Sequence, residues 1–134
     1  MAVSRRELLI ASSGAVIAAA SAVGIYTFWP HDRELTADRL VQTLDHPQAA
    51  AEIGAALLSS RANPQAETFR AALAAKLMAQ GVGPDASTQT IKDAMTQLIR
   101  WDFAEGNLVD IEGWMLARSE AELCALAALS LGHI

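Results

Sequence analysis

The sequence predicts an all-α protein, in which an N-terminal apolar helix precedes a small orthogonal bundle of about five helices with one short extended segment. Three observations support this fold class. Apolar residues recur at helical spacing in several segments, proline and glycine separate those segments, and a long uncharged stretch lies near the N-terminus. With 134 residues, 52% of them hydrophobic, the chain is long enough for one small domain.

The uncharged stretch runs from Leu8 to Trp29 and has the length of a membrane span. As a helix it extends about 33 Å, which is sufficient to cross the hydrocarbon core of a bilayer. Arg5 and Arg6 precede it, so the positive-inside rule places the N-terminus in the cytoplasm and the rest of the chain outside. We therefore predict two parts, a signal or membrane anchor over residues 1–30 and a periplasmic helical domain over residues 31–134.

The residues before this stretch resemble a bacterial export address. Ser4, Arg5 and Arg6 are followed by the large apolar residues Leu8 and Leu9, an arrangement that looks like the twin-arginine export signal. The resemblance implies export of a protein that folds before it crosses the membrane. An ordinary signal peptide with two chance arginines is the alternative.

Removal of the signal depends on Ala20, Ser21 and Ala22, which form an acceptable A-x-A cleavage site. Cleavage after Ala22 would leave an apolar segment, from Val23 to Trp29, at the new N-terminus. Because the uncharged stretch is longer than the apolar core of a typical signal peptide, we favour an uncleaved anchor. The protein is then a single-pass inner-membrane protein with its C-terminal domain in the periplasm, whereas cleavage would give a soluble periplasmic protein.

The first three helices of the bundle are predicted from their ends. Thr36 can cap a helix that continues to Leu44. Pro47 begins a second helix that reaches Ser60, because proline is tolerated in the first helical turn. A third helix covers residues 65–80, where a glycine follows. The apolar residues expected on the buried faces are Leu35, Leu40, Val41, Leu44, Ile53, Leu57, Phe69, Leu73 and Leu77.

Two further helices and an extended segment complete the predicted bundle. Ser87 can cap a fourth helix that reaches Glu105, and the extended segment follows with apolar residues at Val109 and Ile111. The last helix is predicted to begin at Ser119, because a serine followed three residues later by a glutamate has the spacing of a capping box. Beyond that box the helix is apolar on almost every side. This pattern is typical either of a central core helix or of a helix that docks against another protein.

One acidic residue, Asp102, lies in the middle of the apolar stripe of the fourth helix. The stripe consists of Ile91, Met95, Leu98 and Ile99. A buried carboxylate without partners would be strongly destabilising, so we predict that Asp102 is a structural carboxylate whose hydrogen-bond donors are supplied by the fold. The expected donors are backbone N–H groups of the segment after Gly106, or the side chain of Arg118.

The segment around Asp102 also holds the densest group of aromatic residues. The candidates for partner binding are Trp101, Phe103, Trp114 and Met115, whose side-chain types are enriched in interface hot spots. These residues could equally supply the core of the domain. From Trp101 to the C-terminus the chain carries six acidic residues and one basic residue, Arg118, which could attract a basic partner.

Composition and spacing exclude several other classes of function. A formal net charge of −5 leaves no global basic field for nucleic acid. The single cysteine, Cys124, rules out a disulfide framework and a thiolate zinc cluster. His31, His46 and His133 are isolated, and neither a nucleophile elbow nor a glycine-rich phosphate loop occurs. We therefore predict no catalytic, metal-binding or cofactor-binding residues, and a protein that is not an enzyme.

The pattern D-F-x-x-G…G-W-x-L-x-x-S-E, which begins at Asp102, resembles one found in small exported twin-arginine proteins and implies no chemistry. A further resemblance follows from the export signal, the size and the absence of a cofactor motif in the sequence. These features are similar to those of small twin-arginine accessory subunits that travel with periplasmic flavin or molybdenum dehydrogenases. The resemblance implies a subunit that escorts, anchors or stabilises a larger exported oxidoreductase, and it assigns no functional residue. The expected partners are that oxidoreductase, the twin-arginine translocase and, through residues 8–29, the membrane. A soluble periplasmic binding or regulatory module, released by cleavage after Ala22, is the alternative.

Overall fold

A computed structural model of the protein describes residues 34–133, which are mostly helical. The helices of this part are α1 (Ala37–Val41), α2 (Pro47–Leu58), α3 (Ala66–Ala79), α4 (Thr88–Glu105) and α5 (Arg118–Ser130). Two antiparallel strands, β1 (Leu108–Ile111) and β2 (Trp114–Ala117), form a hairpin between α4 and α5. The prediction of a predominantly helical domain is therefore confirmed, with the correction that the extended segment is a paired hairpin.

The predicted N-terminal helix over residues 1–30 lies outside the described residues. The compact unit that contains the described helices begins at Glu34. Within residues 34–133, no helix has both the length and the apolar character that a membrane span requires.

The ends of α1, α3 and α4 follow local signals in the sequence. The Thr36 hydroxyl accepts a backbone N–H of the first turn of α1 at 3.3 Å, and the Ser87 hydroxyl does the same for α4 at 3.1 Å. Gly81 follows α3 with a φ of 78°, which lets the chain leave the helix. α1 is shorter than predicted, because bonds of the tighter i to i−3 type replace the helical ones after Val41.

The start of α5 differs from its prediction. The helix begins at Arg118, and its N-cap residue Ala117 has no side chain that could cap it. Ser119 lies inside the first turn, so the predicted capping box is wrong. The backbone N–H of Ser119 donates instead to the carboxylate of Asp102, at 2.8 Å. A residue distant in sequence therefore supplies the acceptor that a local cap would have supplied.

The helix α5 forms the centre of the domain. Its buried residues are Ser119, Ala121, Leu123, Cys124, Ala125, Leu126, Ala127 and Ala128. All four other described helices and both strands contact it, so its apolar surface is used within the domain. The interpretation of this segment as a core helix is confirmed, and the alternative that it docks against another protein is wrong.

The helices α2 and α5 approach each other closely through small residues. A Cβ atom on Gly54 would lie 1.9 Å from the backbone oxygen of Cys124, so only glycine fits at this position. The prediction that Ile53 and Leu57 form the buried face of α2 is wrong, because Ile53 is 40% exposed and Leu57 is only partly buried. The buried face consists of small residues and one leucine: Ala50, Ala51, Gly54 and Leu58.

Candidate docking surface

The hairpin between α4 and α5 carries Trp114, the most exposed large apolar side chain of the described residues. Ile111 pairs with Trp114, and the two residues between them, Glu112 and Gly113, have φ values of 52° and 88°. Positive φ at both positions is the geometry of a type I′ turn, which matches the twist of the strands. The Asp110 carboxylate also accepts the backbone N–H of Gly113 at 2.8 Å. The turn therefore has a defined conformation that presents Trp114 beside it.

The four residues predicted to bind a partner are all exposed: Trp101, Phe103, Trp114 and Met115. Trp114 is 76% exposed, and the other three are close to half-exposed. The alternative interpretation, in which these residues supply the core, is wrong. The core is built mainly from aliphatic side chains, with Phe69 as its buried aromatic residue among residues 34–133.

The four side chains do not share one face. Trp101 and Phe103 are two residues apart on α4, which separates their directions by about 200° around the helix axis. Trp114 and Met115 are adjacent on β2, and adjacent strand residues point to opposite faces of a hairpin. We use the name hairpin surface for the face that carries Trp114 together with the turn formed by residues 112–113, whereas Met115 is exposed on the opposite face.

Trp101 belongs to a different site, a wide and open groove between α3 and α4. The groove has a volume of about 430 Å³ and is lined by Lys76, Ala79, Gln80, Leu98 and Trp101. Lys76 is engaged with Glu122, its Nζ lying 2.9 Å from the carboxylate Oε2. A groove this open buries little of a bound molecule, which distinguishes it from a typical small-molecule site.

Acidic residues accompany the hairpin surface. Asp110 and Glu112 belong to the hairpin, Glu105 to the last turn of α4, and all three are exposed. Within residues 34–133, none of the three forms an ion pair, whereas Glu122 is paired with Lys76. At the turn end of the hairpin, Asp110 and Glu112 therefore present negative charge, which favours approach of a basic surface, whereas the exposed Arg118 lies at the other end, directly after β2.

The residue Asp102 connects the two ends of the hairpin. It is 8% exposed and lies in the last turn of α4. Its Oδ2 accepts the backbone N–H of Ser119 at 2.8 Å, and its Oδ1 accepts the side-chain amide of Asn107 at 3.1 Å. One carboxylate thus links α4, the residue before β1 and the first turn of α5. These bonds tie together the segments from which the two ends of the hairpin extend.

Its surroundings keep the pKa of Asp102 below the ordinary value of 3.8. Burial is the largest single influence and raises the pKa, but it is outweighed by several others. These are the hydrogen bonds from the backbone and hydroxyl of Ser119, the hydrogen bond from Asn107 and the positive charge of Lys76. The carboxylate is therefore ionised at neutral pH, which suits a structural acceptor.

Both of the predicted hydrogen-bond donors to Asp102 are wrong. The side chain of Arg118 does not bind the carboxylate, because its Nε donates to Asn107 Oδ1 at 2.8 Å. The backbone donor is Ser119 at the start of α5 and not a residue of the segment directly after Gly106. Arg118 acts on Asp102 only through Asn107, whose side chain bridges the two.

The remaining candidate residues are accounted for within the domain. Burial, with a smaller effect from Glu120, raises the pKa of the Cys124 thiol to about 12, so it packs as a small apolar residue. The ring of His133 forms a hydrogen bond with the Gln48 side chain at 2.9 Å, and His46 occupies the N-cap position of α2 without a side-chain bond. Within residues 34–133, no group of three or more His, Cys, Asp or Glu residues could hold a metal ion.

Comparison of the chain with family models, with curated proteins and with solved structures finds no match in any of the three. The residues of the predicted export signal lie outside the described part of the chain: Ser4, Arg5, Arg6, Leu8 and Leu9. The same applies to His31.

The hairpin is the feature that the sequence analysis missed. A glycine at the second turn position, Gly113, lies between two short apolar runs and is the signal that could have identified it. The first turn position is Glu112, whereas the strongest hairpin signals have asparagine or aspartate there. A glutamate at positive φ is uncommon, so the pairing of the two strands overrides the local preference of this residue.

Proposed function

We propose that this protein is a non-catalytic accessory subunit that escorts, anchors or stabilises a larger exported oxidoreductase at the periplasmic face of the inner membrane. The observation that carries the proposal is the exposure of Trp114 beside a hairpin turn of defined conformation. The partner class rests on the export signal, the size and the absence of a cofactor motif in the sequence, in which the chain resembles small twin-arginine accessory subunits.

The side chain of Trp114 offers apolar surface to a partner. An aromatic side chain buries 150–250 Å², so covering the exposed part of Trp114 would remove roughly 110–190 Å² from water, a gross hydrophobic gain of about 3–5 kcal/mol from which the costs of association are subtracted. The domain core is complete without it, because the apolar residues of α5 from Ala121 to Ala128 are buried by the other described elements. Tryptophan is among the residue types enriched at interface hot spots, and this one is not used by the domain core.

The charge around the hairpin surface specifies the partner further. Asp110, Glu112 and Glu105 are exposed and without ion pairs among residues 34–133. A complementary surface would carry arginine or lysine around an apolar pocket that receives the Trp114 ring. Long-range attraction between such surfaces accelerates association and is weakened by salt.

The proposal includes the finer features of the sequence prediction. Residues 1–30 form a helix that anchors the protein in the inner membrane, the periplasmic helices pack orthogonally, and the twin-arginine translocase is the partner during export. The protein itself has no catalytic, metal-binding or cofactor-binding residues and does not bind nucleic acid.

Affinity purification of the full-length chain from native membranes in detergent tests the central part of the proposal. The expected result is a stoichiometric complex with a cofactor-containing oxidoreductase that lacks its own export signal. The Trp114→Ala variant should lose most of this complex, whereas Trp101→Ala, which removes the same side chain from the groove, should retain it. Equal retention by both variants would contradict docking through the hairpin surface.

Two measurements test the export and anchor parts. Replacement of both Arg5 and Arg6 by lysine should abolish translocation of a fused reporter if the twin-arginine route is used. The intact mass of the purified protein should include residues 1–30. A species that begins at Val23 would refute the anchor and support the soluble periplasmic module.

A further inference from the structure

A second, smaller pocket lies on a different part of the domain, between α2, α3, β1 and the first turns of α5. Its volume is about 130 Å³, and it is more enclosed than the groove at Trp101. A liquid water molecule occupies about 30 Å³, so the pocket has room for a small chemical group and not for a drug-sized ligand.

The walls of this pocket combine apolar side chains with two guanidinium groups. Leu57, Phe69 and Val109 contribute apolar surface, while Arg61 and Arg118 contribute positive charge and Thr68 a hydroxyl. This combination matches a ligand that has one anionic end and one apolar part.

Most other basic residues among residues 34–133 are bound by a carboxylate or by backbone carbonyls, and Arg61 and Arg118 differ from them in this respect. Arg70, Lys76 and Lys92 form ion pairs with carboxylates, and Arg39 donates to two backbone carbonyls. Within residues 34–133, neither Arg61 nor Arg118 forms an ion pair. A protein with 15 acidic and 10 basic residues therefore leaves two guanidinium groups without a carboxylate at one pocket.

The contacts that these arginines do make leave their N–H donors available. The guanidinium of Arg61 lies over the ring of Phe69, with its central carbon 5.5 Å from the ring centroid. Only Nε of Arg118 is used, in the bond to Asn107. Both terminal nitrogens of each arginine thus remain free of hydrogen bonds to residues 34–133.

The acidic residue in the pocket does not cancel this positive charge. Glu122 lines the pocket, but its carboxylate is bound by Lys76 at 2.9 Å. The pair formed by Glu122 and Lys76 is neutral overall, so the two arginines set the sign of the potential in the pocket.

We propose that this pocket binds a carboxylate group that carries a short apolar stem. A planar guanidinium presents two parallel N–H donors that match the two oxygens of a carboxylate, and the apolar walls accommodate the stem. The carboxylate belongs either to a free short-chain organic acid or to the C-terminus of a polypeptide that ends in an apolar residue.

The test is a titration of the full-length ¹⁵N-labelled chain in detergent, followed by NMR of the arginine Nε–H groups and the Thr68 amide. The probes are butyrate, acetyl-Gly-Gly-Leu, the C-terminal amide of that peptide and inorganic phosphate. Butyrate or the peptide acid should give saturable shifts of Arg61, Arg118 and Thr68. Binding of butyrate identifies a free acid as the source, whereas peptide affinity at least tenfold higher, absent from the amide, identifies a chain terminus.

Variants of Arg61 provide the controls, because Arg118 also supports the Asp102 network. Arg61→Gln should weaken binding at least tenfold, and Arg61→Lys, which keeps the charge but loses the paired donors, should also weaken it. Arg100→Gln removes the same charge from an exposed position outside the pocket and should have no effect. The proposal is overturned by the absence of saturable shifts, by equal binding of phosphate, or by equal losses in the Arg61 and Arg100 variants.

Discussion

Two regions of the domain use side-chain size in opposite ways. At the contact between α2 and α5, small residues allow two backbones to approach, and Gly54 has no room for even one additional carbon atom. In the hairpin, the large side chains of Trp114 and Met115 project into solvent. In the first region, each small residue buries little apolar area but lets the two backbones come close. In the second region, the apolar area of the side chains stays exposed to solvent. The difference separates residues that hold the fold together from residues available to a partner.

The largest expected effect is at the α2–α5 contact. Gly54→Ala should reduce the free energy of unfolding by about 3 kcal/mol or more, because the new Cβ would clash with the backbone of Cys124 and α2 would have to move. Denaturant unfolding followed by circular dichroism measures this. Gly83→Ala is the matched control, since nothing lies within 4 Å of a Cβ there. Similar stability of the two variants would show that the contact is not close.

An intermediate effect is expected at Asp102, which joins the hairpin to the rest of the domain. Asp102→Ala should reduce the free energy of unfolding by ~1–3 kcal/mol, because Ser119 and Asn107 lose their acceptor. Asp93→Ala removes the same charge from the exposed side of α4 and should change stability by less than ~0.5 kcal/mol. If Asp102→Ala were as stable as the control but abolished an activity of the assembled complex, Asp102 would be a functional group and not a structural one.

The stability contributed by Asp102 should also depend on pH. Because its pKa is lower in the folded protein than the ordinary value of 3.8, its contribution is complete at neutral pH and is lost as the pH falls through the lowered pKa. The difference in unfolding free energy between the native chain and Asp102→Asn should therefore shrink on acidification below about pH 4. A difference that stays constant down to pH 2 would contradict the ionised, hydrogen-bonded carboxylate.

The smallest effect on stability is expected at the hairpin surface. Trp114→Ala should change the free energy of unfolding by less than ~0.5 kcal/mol, because the side chain is largely in solvent. Thermal unfolding of the isolated full-length chain checks this value. A loss of several kcal/mol would place Trp114 in the core and remove the contrast between the two regions.

The sequence predicted the helices well because their signals are local. Thr36, Ser87 and Gly81 act on backbone groups a few residues away, so their roles can be recognised without knowledge of the fold. Periodicity also placed Asp102 correctly on the buried side of α4.

The failures concern contacts between distant segments. The acceptor for the Ser119 N–H comes from Asp102, 17 residues earlier, and no local pattern indicates such a bond. Spacing predicts that Ile53 and Leu57, the large apolar residues of α2, form its buried face, yet the close approach at Gly54 selects small residues there. The sequence does not predict the exposure of Trp114 either, because tryptophan occurs both in protein cores and at interfaces.

The burial of Cys124 makes this thiol a reporter for opening of the domain. It is the only cysteine of the chain, and its backbone lies against Gly54 at the contact between α2 and α5. An alkylating reagent reaches a buried thiol only when the surrounding structure opens, and where reclosing is faster than alkylation, the labelling rate is proportional to the equilibrium population of the open form. Mass spectrometry of the labelled chain would therefore measure local opening without denaturant. Any partner that binds only the closed domain would slow the labelling in proportion to its occupancy.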